Sequence, residues 1–238
     1  MTINIDPTFD ALYRQGRAPW DIGEPQPVVQ QLVAYGAVRG EVLDPGTGPG
    51  HHAIHYALQG YSATGIDGSP AAIERAKRNA ERAGVHVNFQ VADATKLDGF
   101  ERRFDTVVDS AFYHVFLDDE QTQTQYAQAL HKATRPGARL FMFEFGRHNV
   151  NGIQFDGLPA DNFERVLGAG GWRVDHMGTS THVAMLSPET LAQMINISRP
   201  DRAQRFKSLQ ERLEVIGPLL DNHRVHIPIW AVAATRLD

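Results

Sequence analysis

Between Glu41 and His52 the chain reads Glu-Val-Leu-Asp-Pro-Gly-Thr-Gly-Pro-Gly-His-His, and no other stretch restricts the possible folds as much. A short apolar run ends in an acid, and glycine then takes every second position (Gly46, Gly48, Gly50). A helix-compatible segment follows. A glycine loop between strand and helix lets backbone N–H groups and a helix N-terminus approach a ligand without side-chain obstruction. Dinucleotide loops use Gly-x-Gly-x-x-Gly, whose third glycine falls here at position 51, and that residue is His51. Alternating glycines with Asp44 in front suit a ligand presenting a positive ammonium, not a pyrophosphate.

After the first strand (Val42–Asp44), helix-like and strand-like segments alternate. Gly50–Leu58 reads as a helix, Ser62–Ile66 as a strand, and Pro70–Ala83 as a helix with Ser69 as its N-cap. Val85–Val91 and Phe104–Asp109 are strands; Asp119–Thr134 is a helix stopped by Arg135-Pro136-Gly137. Ala138–Phe145 suits a buried central strand, Asn162–Leu167 a short helix, and Trp172–Thr179 a further strand. Such alternation implies an α/β fold with a doubly wound, mostly parallel sheet.

Two segments fall outside the alternation. Residues 1–40 form an N-terminal cover with Phe9, Leu12, Tyr13 and Trp20, then a helix over Val28–Tyr35. Ser187–Asn222, within an insertion over residues 183–224, is helix-rich, with Phe206, Leu209, Leu213, Ile216 and Leu220 at steps of three and four. It is expected to form a lid; the same spacing also suits a core-facing stripe or a dimer seam. Met185, Met194 and Ile195 offer adaptable pocket surface. Val225–Arg236 has strand character and is expected to pair antiparallel at or near the sheet edge. The chain, residues 1–238, reads as one domain.

Composition removes several classes. There is no cysteine, so disulfides, thiolate metal sites and cysteine nucleophiles are all excluded. Acids outnumber Lys and Arg by 28 to 23 without a basic block, which argues against a nucleic-acid partner. No run approaches the ~18–20 apolar residues of a membrane span, and the first ten residues do not read as a signal peptide. A cytoplasmic protein, monomer or homodimer, is expected.

In open parallel sheets ligands bind beyond the carboxyl ends of the strands. Three acids stand there. Asp44 suits an amino group, Asp67, followed by Gly68, suits both ribose hydroxyls, and Asp93 suits an adenine amino group, with the Ala94 N–H reaching the ring. The glycine loop and these acids, over roughly Glu41–Phe145, resemble the class I S-adenosylmethionine-dependent methyltransferases. That resemblance implies a Rossmann-like seven-stranded sheet, S-adenosylmethionine as cofactor, and donor contacts from Asp44, Gly46, Gly48, Gly50, Asp67, Gly68, Asp93, Ala94 and Asp109. Pro49 departs from the usual loop; it removes one N–H and leaves the glycines in place.

Pro19-Trp20-Asp21-Ile22-Gly23-Glu24-Pro25-Gln26-Pro27 is similar to the entry segment of thiol, halide and thiopurine methyltransferases. The likeness implies that Trp20 lies beside the sulfonium, where an indole face attracts a cation; a core tryptophan anchoring the segment is the other reading. Asp109-Ser110-Ala111-Phe112-Tyr113-His114 follows the fourth strand. An imidazole near its ordinary pKa of ~6.5 takes a proton from a phenol-like hydroxyl or ring N–H, so His114 is the candidate base; a helix-start histidine bonded to backbone remains the plain alternative. Tyr113 and Tyr13 are weaker candidates, also suited to pocket walls.

Other chemistries lack their residues. His51 and His55 share a helix face without the glutamate of a zinc protease motif, so no metal is expected. The magnesium-dependent catechol class needs an Asp-Asn pair where this chain has Phe143-Glu144-Phe145. The Asn/Asp-Pro-Pro-Tyr/Phe run of amino-methylating DNA enzymes is absent. The whole pattern is most similar to the mycobacterial-type heterocyclic toxin methyltransferases, which implies a small aromatic or heterocyclic acceptor such as a hydroxyquinolone and a role in detoxification. The competing readings are an NAD-dependent oxidoreductase and a non-catalytic S-adenosylmethionine-binding protein. A nucleic-acid methyltransferase is a weaker third.

Overall fold

The computed structural model describes residues 10, 13, 14, 18, 20–117, 119–197 and 200–238. Phe9, Leu12 and Pro19 lie outside the described residues. The elements are α1 (Pro27–Ala34), β1 (Glu41–Pro45), α2 (His51–Leu58), β2 (Ser62–Asp67), α3 (Pro70–Ala83), β3 (Asn88–Val91) and β4 (Phe104–Ser110). A 3-10 turn (Tyr113–Phe116) leads to α4 (Glu120–Ala133), β5 (Thr134–Phe145), α5 (Ala160–Ala169) and β6 (Trp172–Met185). Then come α6 (Pro188–Ile197), α7 (Pro200–Ile216) and β7 (Arg224–Arg236).

The seven strands are ordered β3-β2-β1-β4-β5-β7-β6. Pairings from β3 through β5 are parallel, and β7 runs antiparallel between β5 and β6. The last strand is therefore one place in from the edge. The order in which strands are added reverses between β1 and β4, which opens a crevice at their carboxyl ends.

Period-two alternation explains why these strands are central. Leu43, Val107, Leu140 and Met142 face one core with Tyr126, Leu130 and Phe163 from α4 and α5 and Trp172 from the start of β6. Their neighbours Val42, Val108, Phe141 and Phe143 face the other, with Val29, Ile54, Tyr56 and Ile73 from α1, α2 and α3. Local signals fix the helices: the Ser69 hydroxyl accepts from the Ala72 N–H at 3.1 Å, and Asp119 accepts from Thr122 N–H at 3.0 Å.

β6 runs past its expected end at Thr179. The ladder between β5 and β7 stops at Phe145 and Ile229, whereas β6 and β7 stay paired to Met185 and Arg224. This extension carries a third core of Ile153, Ala184, Leu186, Leu191, Leu213, Val225 and Ile227. Phe206, Leu209, Leu220 and Met194 pack on it, while Ile216 is exposed. Most of the helical stripe is thus core-facing. No described helix is long and apolar enough to cross a membrane.

Candidate active site

Asp44 ends β1 almost wholly buried, at 1% exposure, and the Thr47 hydroxyl donates to it at 2.5 Å. Burial lifts its carboxyl to about pKa 7, against the Thr47 hydrogen bond and with help from the nearby Asp109 charge. Asp67 ends β2 and accepts the Gly48 N–H at 2.9 Å and the Ser69 N–H at 2.8 Å, so it ties the glycine loop to the start of α3. Burial raises its pKa as well. Asp93 follows β3, the neighbour of β2; its oxygens accept from Thr95 and pair with Lys96 at 2.6 Å. Ala94 beside it is buried.

The loop forms an open cradle because Gly46 and Gly48 adopt φ of +66° and +52°. A Cβ on Gly46 would overlap the Phe112 ring, and one on Gly48 would stand 2.8 Å from the Tyr13 hydroxyl. Bare backbone flanked by carboxylates fits the expected donor, with its ammonium, ribose and adenine amino group. Gly68 and Gly50 lie at the two helix starts, α3 and α2, that border this cradle.

The N-terminal segment sits on these same helix starts. The Trp20 indole donates to the Tyr13 hydroxyl at 3.2 Å. Asp21 pairs with His51 at 2.9 Å and with Arg75 at 2.5 Å, and Asp10 accepts from the Ser69 hydroxyl at 2.6 Å. His51 therefore anchors the cover. Gln26 reaches the opposite side: its carboxamide donates to the Val183 carbonyl and accepts the Val183 N–H, both at 2.9 Å.

Beyond β4 the backbone turns sharply at Ala111, φ +60°. Tyr113 is fully buried, and its hydroxyl bonds Gln123 and Asn162 at 3.0 and 2.9 Å. This corrects its assignment as a catalytic candidate or pocket wall: the 3-10 turn rotates it into the core. Tyr13 belongs to the donor side, against Gly48, and burial with the Asp67 charge pushes its phenol pKa well up, so it is a poor base at neutral pH. Asp109 was expected at the donor; its carboxyl is instead fully buried and engaged by the Tyr126 hydroxyl at 2.7 Å and the Phe112 N–H at 3.1 Å.

His114 stays at the surface of the crevice, its side chain 24% exposed, with Nδ1 3.2 Å from Glu144 and its ring 4.3 Å from that of Phe145. Nearby, His182 of the β6 extension lies 3.3 Å from the Ser110 hydroxyl. Burial, and then the neighbouring imidazoles, push His182 down to about pKa 3, so it is neutral. Among the described residues no cluster of three or more His, Asp or Glu could hold a metal ion.

Glu144, His182 and Gln26 were missed as site residues by sequence reasoning. Glu144 had one signal, a single acid inside the apolar run Leu140–Phe145. His182 had none, because it lies beyond the expected strand.

Residues 42–137 match the methyltransferase domain family. A Mycobacteroides abscessus 2-heptyl-1-hydroxyquinolin-4(1H)-one methyltransferase is 36% identical across 94% of this chain and 100% of its own length. This chain belongs to the class I S-adenosylmethionine-dependent methyltransferases. A probable thiol methyltransferase of Arabidopsis thaliana is 26% identical over 70% of the chain and 74% of its own length. A structure solved in work on the conversion of a disulfide bond into a thioacetal group during echinomycin biosynthesis superposes with TM-score 0.76. It is 30% identical, covering 98% of this methyltransferase and 93% of that chain. The Burkholderia thailandensis 1,6-didemethyltoxoflavin N1-methyltransferase shares the fold at TM-score 0.63 and 19% identity, over 98% and 87% of the two chains. Membership of this family removes the NAD-dependent oxidoreductase reading.

Proposed function

We propose that this enzyme methylates an oxygen, nitrogen or sulfur of a small heteroaromatic molecule of the hydroxyquinolone kind, with His114 as general base. One observation carries the base assignment: in the turn after β4, His114 combines a titratable ring, partial exposure and a fixed carboxylate neighbour. Phe145 supplies aromatic surface against its ring, as a flat acceptor requires. The full-length relative acting on a hydroxyquinolone supports the acceptor class.

S-adenosylmethionine supplies a methyl group already activated on a sulfonium. The protein's part is placement and proton removal. Asp44 would hold the ammonium, Asp67 the ribose hydroxyls, Asp93 and Ala94 the adenine, and Trp20 the sulfonium end. The extended β6–β7 hairpin with α6 and α7 would roof the acceptor. We read the enzyme as cytoplasmic, monomeric or homodimeric, without a nucleic-acid substrate and with a detoxifying role.

A methyl-transfer screen over phenols, thiols, thiopurines and hydroxyquinolines, with mass spectrometry locating the added carbon, tests this reading. Donor binding without turnover across the panel would favour a binding protein. His114→Ala is expected to slow turnover roughly tenfold or more at saturating donor, with donor affinity nearly intact by calorimetry. Unchanged turnover removes His114 from the chemistry.

A further inference from the structure

We propose that Glu144 is the positioning residue of the transfer site: it holds His114 in the tautomer protonated at Nδ1, so that Nε2 takes the acceptor's proton. The proposal rests on His114 being the base, and deepens that reading.

Glu144 has no exposed surface and lies near the end of β5 between Phe143 and Phe145. Four contacts converge on it. Oε1 accepts the N–H groups of Phe112 and Tyr113 at 2.8 and 3.0 Å; Oε2 accepts the His114 N–H at 3.1 Å and stands 3.2 Å from His114 Nδ1. Three backbone donors favour the ionised form of a buried carboxyl. An ionised oxygen only accepts hydrogen bonds, so Nδ1 must carry the hydrogen, and the lone pair of the neutral ring falls on Nε2.

Asp109 of β4 makes this charge state possible. Burial, then the Glu144 charge, raise Asp109 well above the carboxylate range. Glu144 is raised by burial to about 7, opposed by its hydrogen bonds to Asp109 and the backbone N–H groups. The pair thus holds one proton, on Asp109, and Glu144 is its acceptor. Tyr126 of α4 donates to Asp109 on the far side, and Asp44 of β1 lies near enough to Asp109 for the two charges to interact. Tyr113 of the turn feels Glu144 and Asp109. Among the described residues, His182 of β6 interacts with His114 and with His52 of α2, and burial pushes both His182 and His52 to about pKa 3. Glu144 is thus a charge within hydrogen-bond reach of the His114 ring.

A purely structural carboxylate would need only the three backbone donors, which hold the turn that follows left-handed Ala111. Reaching Nδ1 as well is what links β5 to the chemistry. The acceptor's O–H or N–H proton passes to Nε2 and its bonding electrons stay on the heteroatom as the nucleophilic pair. The positive imidazolium then faces negative Glu144.

Nitrogen-15 chemical shifts of the His114 ring in the unaltered full-length protein read the tautomer directly; Nδ1–H is expected, and an Nε2–H tautomer overturns the proposal. With 2-heptyl-1-hydroxyquinolin-4(1H)-one as acceptor, Glu144→Gln is expected to lower kcat roughly tenfold at unchanged donor affinity. Loss of the carboxylate should also move the acidic limb of the kcat–pH profile down by about one unit. Glu144→Asp, which keeps the charge, should return that limb toward its original position. A kcat loss with an unmoved limb would assign Glu144 to folding alone and overturn the proposal. If Glu144→Gln does not fold, the tautomer measurement decides. His114→Ala with unchanged turnover would defeat the base reading itself; slowed turnover with an Nε2–H tautomer would defeat only the role given to Glu144.

Discussion

Asp44 carries a carboxyl that burial leaves half-protonated near neutrality, at about pKa 7, yet the ligand it would meet is a cation. Binding the ammonium requires the ionised form, so the proton must leave as the donor arrives. Affinity for S-adenosylmethionine is expected to rise with pH up to about 7, losing roughly tenfold per unit below it. Calorimetry in buffers of different ionisation enthalpy should detect proton release at pH 6, and Asp44→Asn should abolish it along with most of the affinity. The acids proposed to hold the donor were legible to the extent that they stand at strand ends. Asp44, Asp67 and Asp93 end consecutive strands, which a sequence shows as an acid after an apolar run. The inward rotation of Tyr113 was not legible, because a 3-10 turn differs from a helix by a rotation that residue types do not encode. Glu144 was hidden for another reason: its partners are backbone N–H groups of a segment thirty residues away.

Among the elements, the loop from β1 to α2 is the least forgiving. At Gly48 a side chain meets both a left-handed backbone, φ +52°, and the Tyr13 hydroxyl, 2.8 Å from any Cβ. The backbone term alone costs about 1–2 kcal/mol. Gly48→Ala is expected to weaken donor binding at least about tenfold while lowering Tm by only a few degrees, because the loop must shift the N–H that Asp67 accepts. Equal affinity by calorimetry would contradict this. Strands β1, β4 and β5 were readable as apolar runs because both faces are covered. The far half of β6 was not: Ser180, Thr181 and His182 look like the end of a strand, and what keeps them extended is the ladder with β7, whose residues lie over forty positions later.

For the molecule as a whole, two sets of buried groups oppose each other in their response to pH. His52 and His182 are held near pKa 3 in the folded state, against ~6.5 in an unfolded chain. Between those values the unfolded state binds protons that the folded state refuses. Their stabilising contribution is therefore complete above about 6.5 and is lost as pH falls toward 3. Asp44, raised to about 7, and Asp109, raised well above the carboxylate range, act the other way: the folded state keeps protons there, and stability declines as pH rises above about 4. Urea unfolding is expected to show greatest stability between about pH 4 and 6.5, and His182→Asn should flatten the acid side by up to about one proton. An acid limb unchanged in that variant would show that the imidazole is not held neutral.

The side chain of Gln26 has a consequence for how the enzyme can vary. It takes both the N–H and the carbonyl of Val183, so it stands in for a missing strand neighbour. Glutamate would set an anion against that carbonyl, and asparagine is one methylene too short to span both groups. Trp20 lies six residues upstream of this peg. If Trp20 meets the sulfonium and the β6 extension roofs the acceptor, as we propose, a change that moves Val183 would reach the donor end as well.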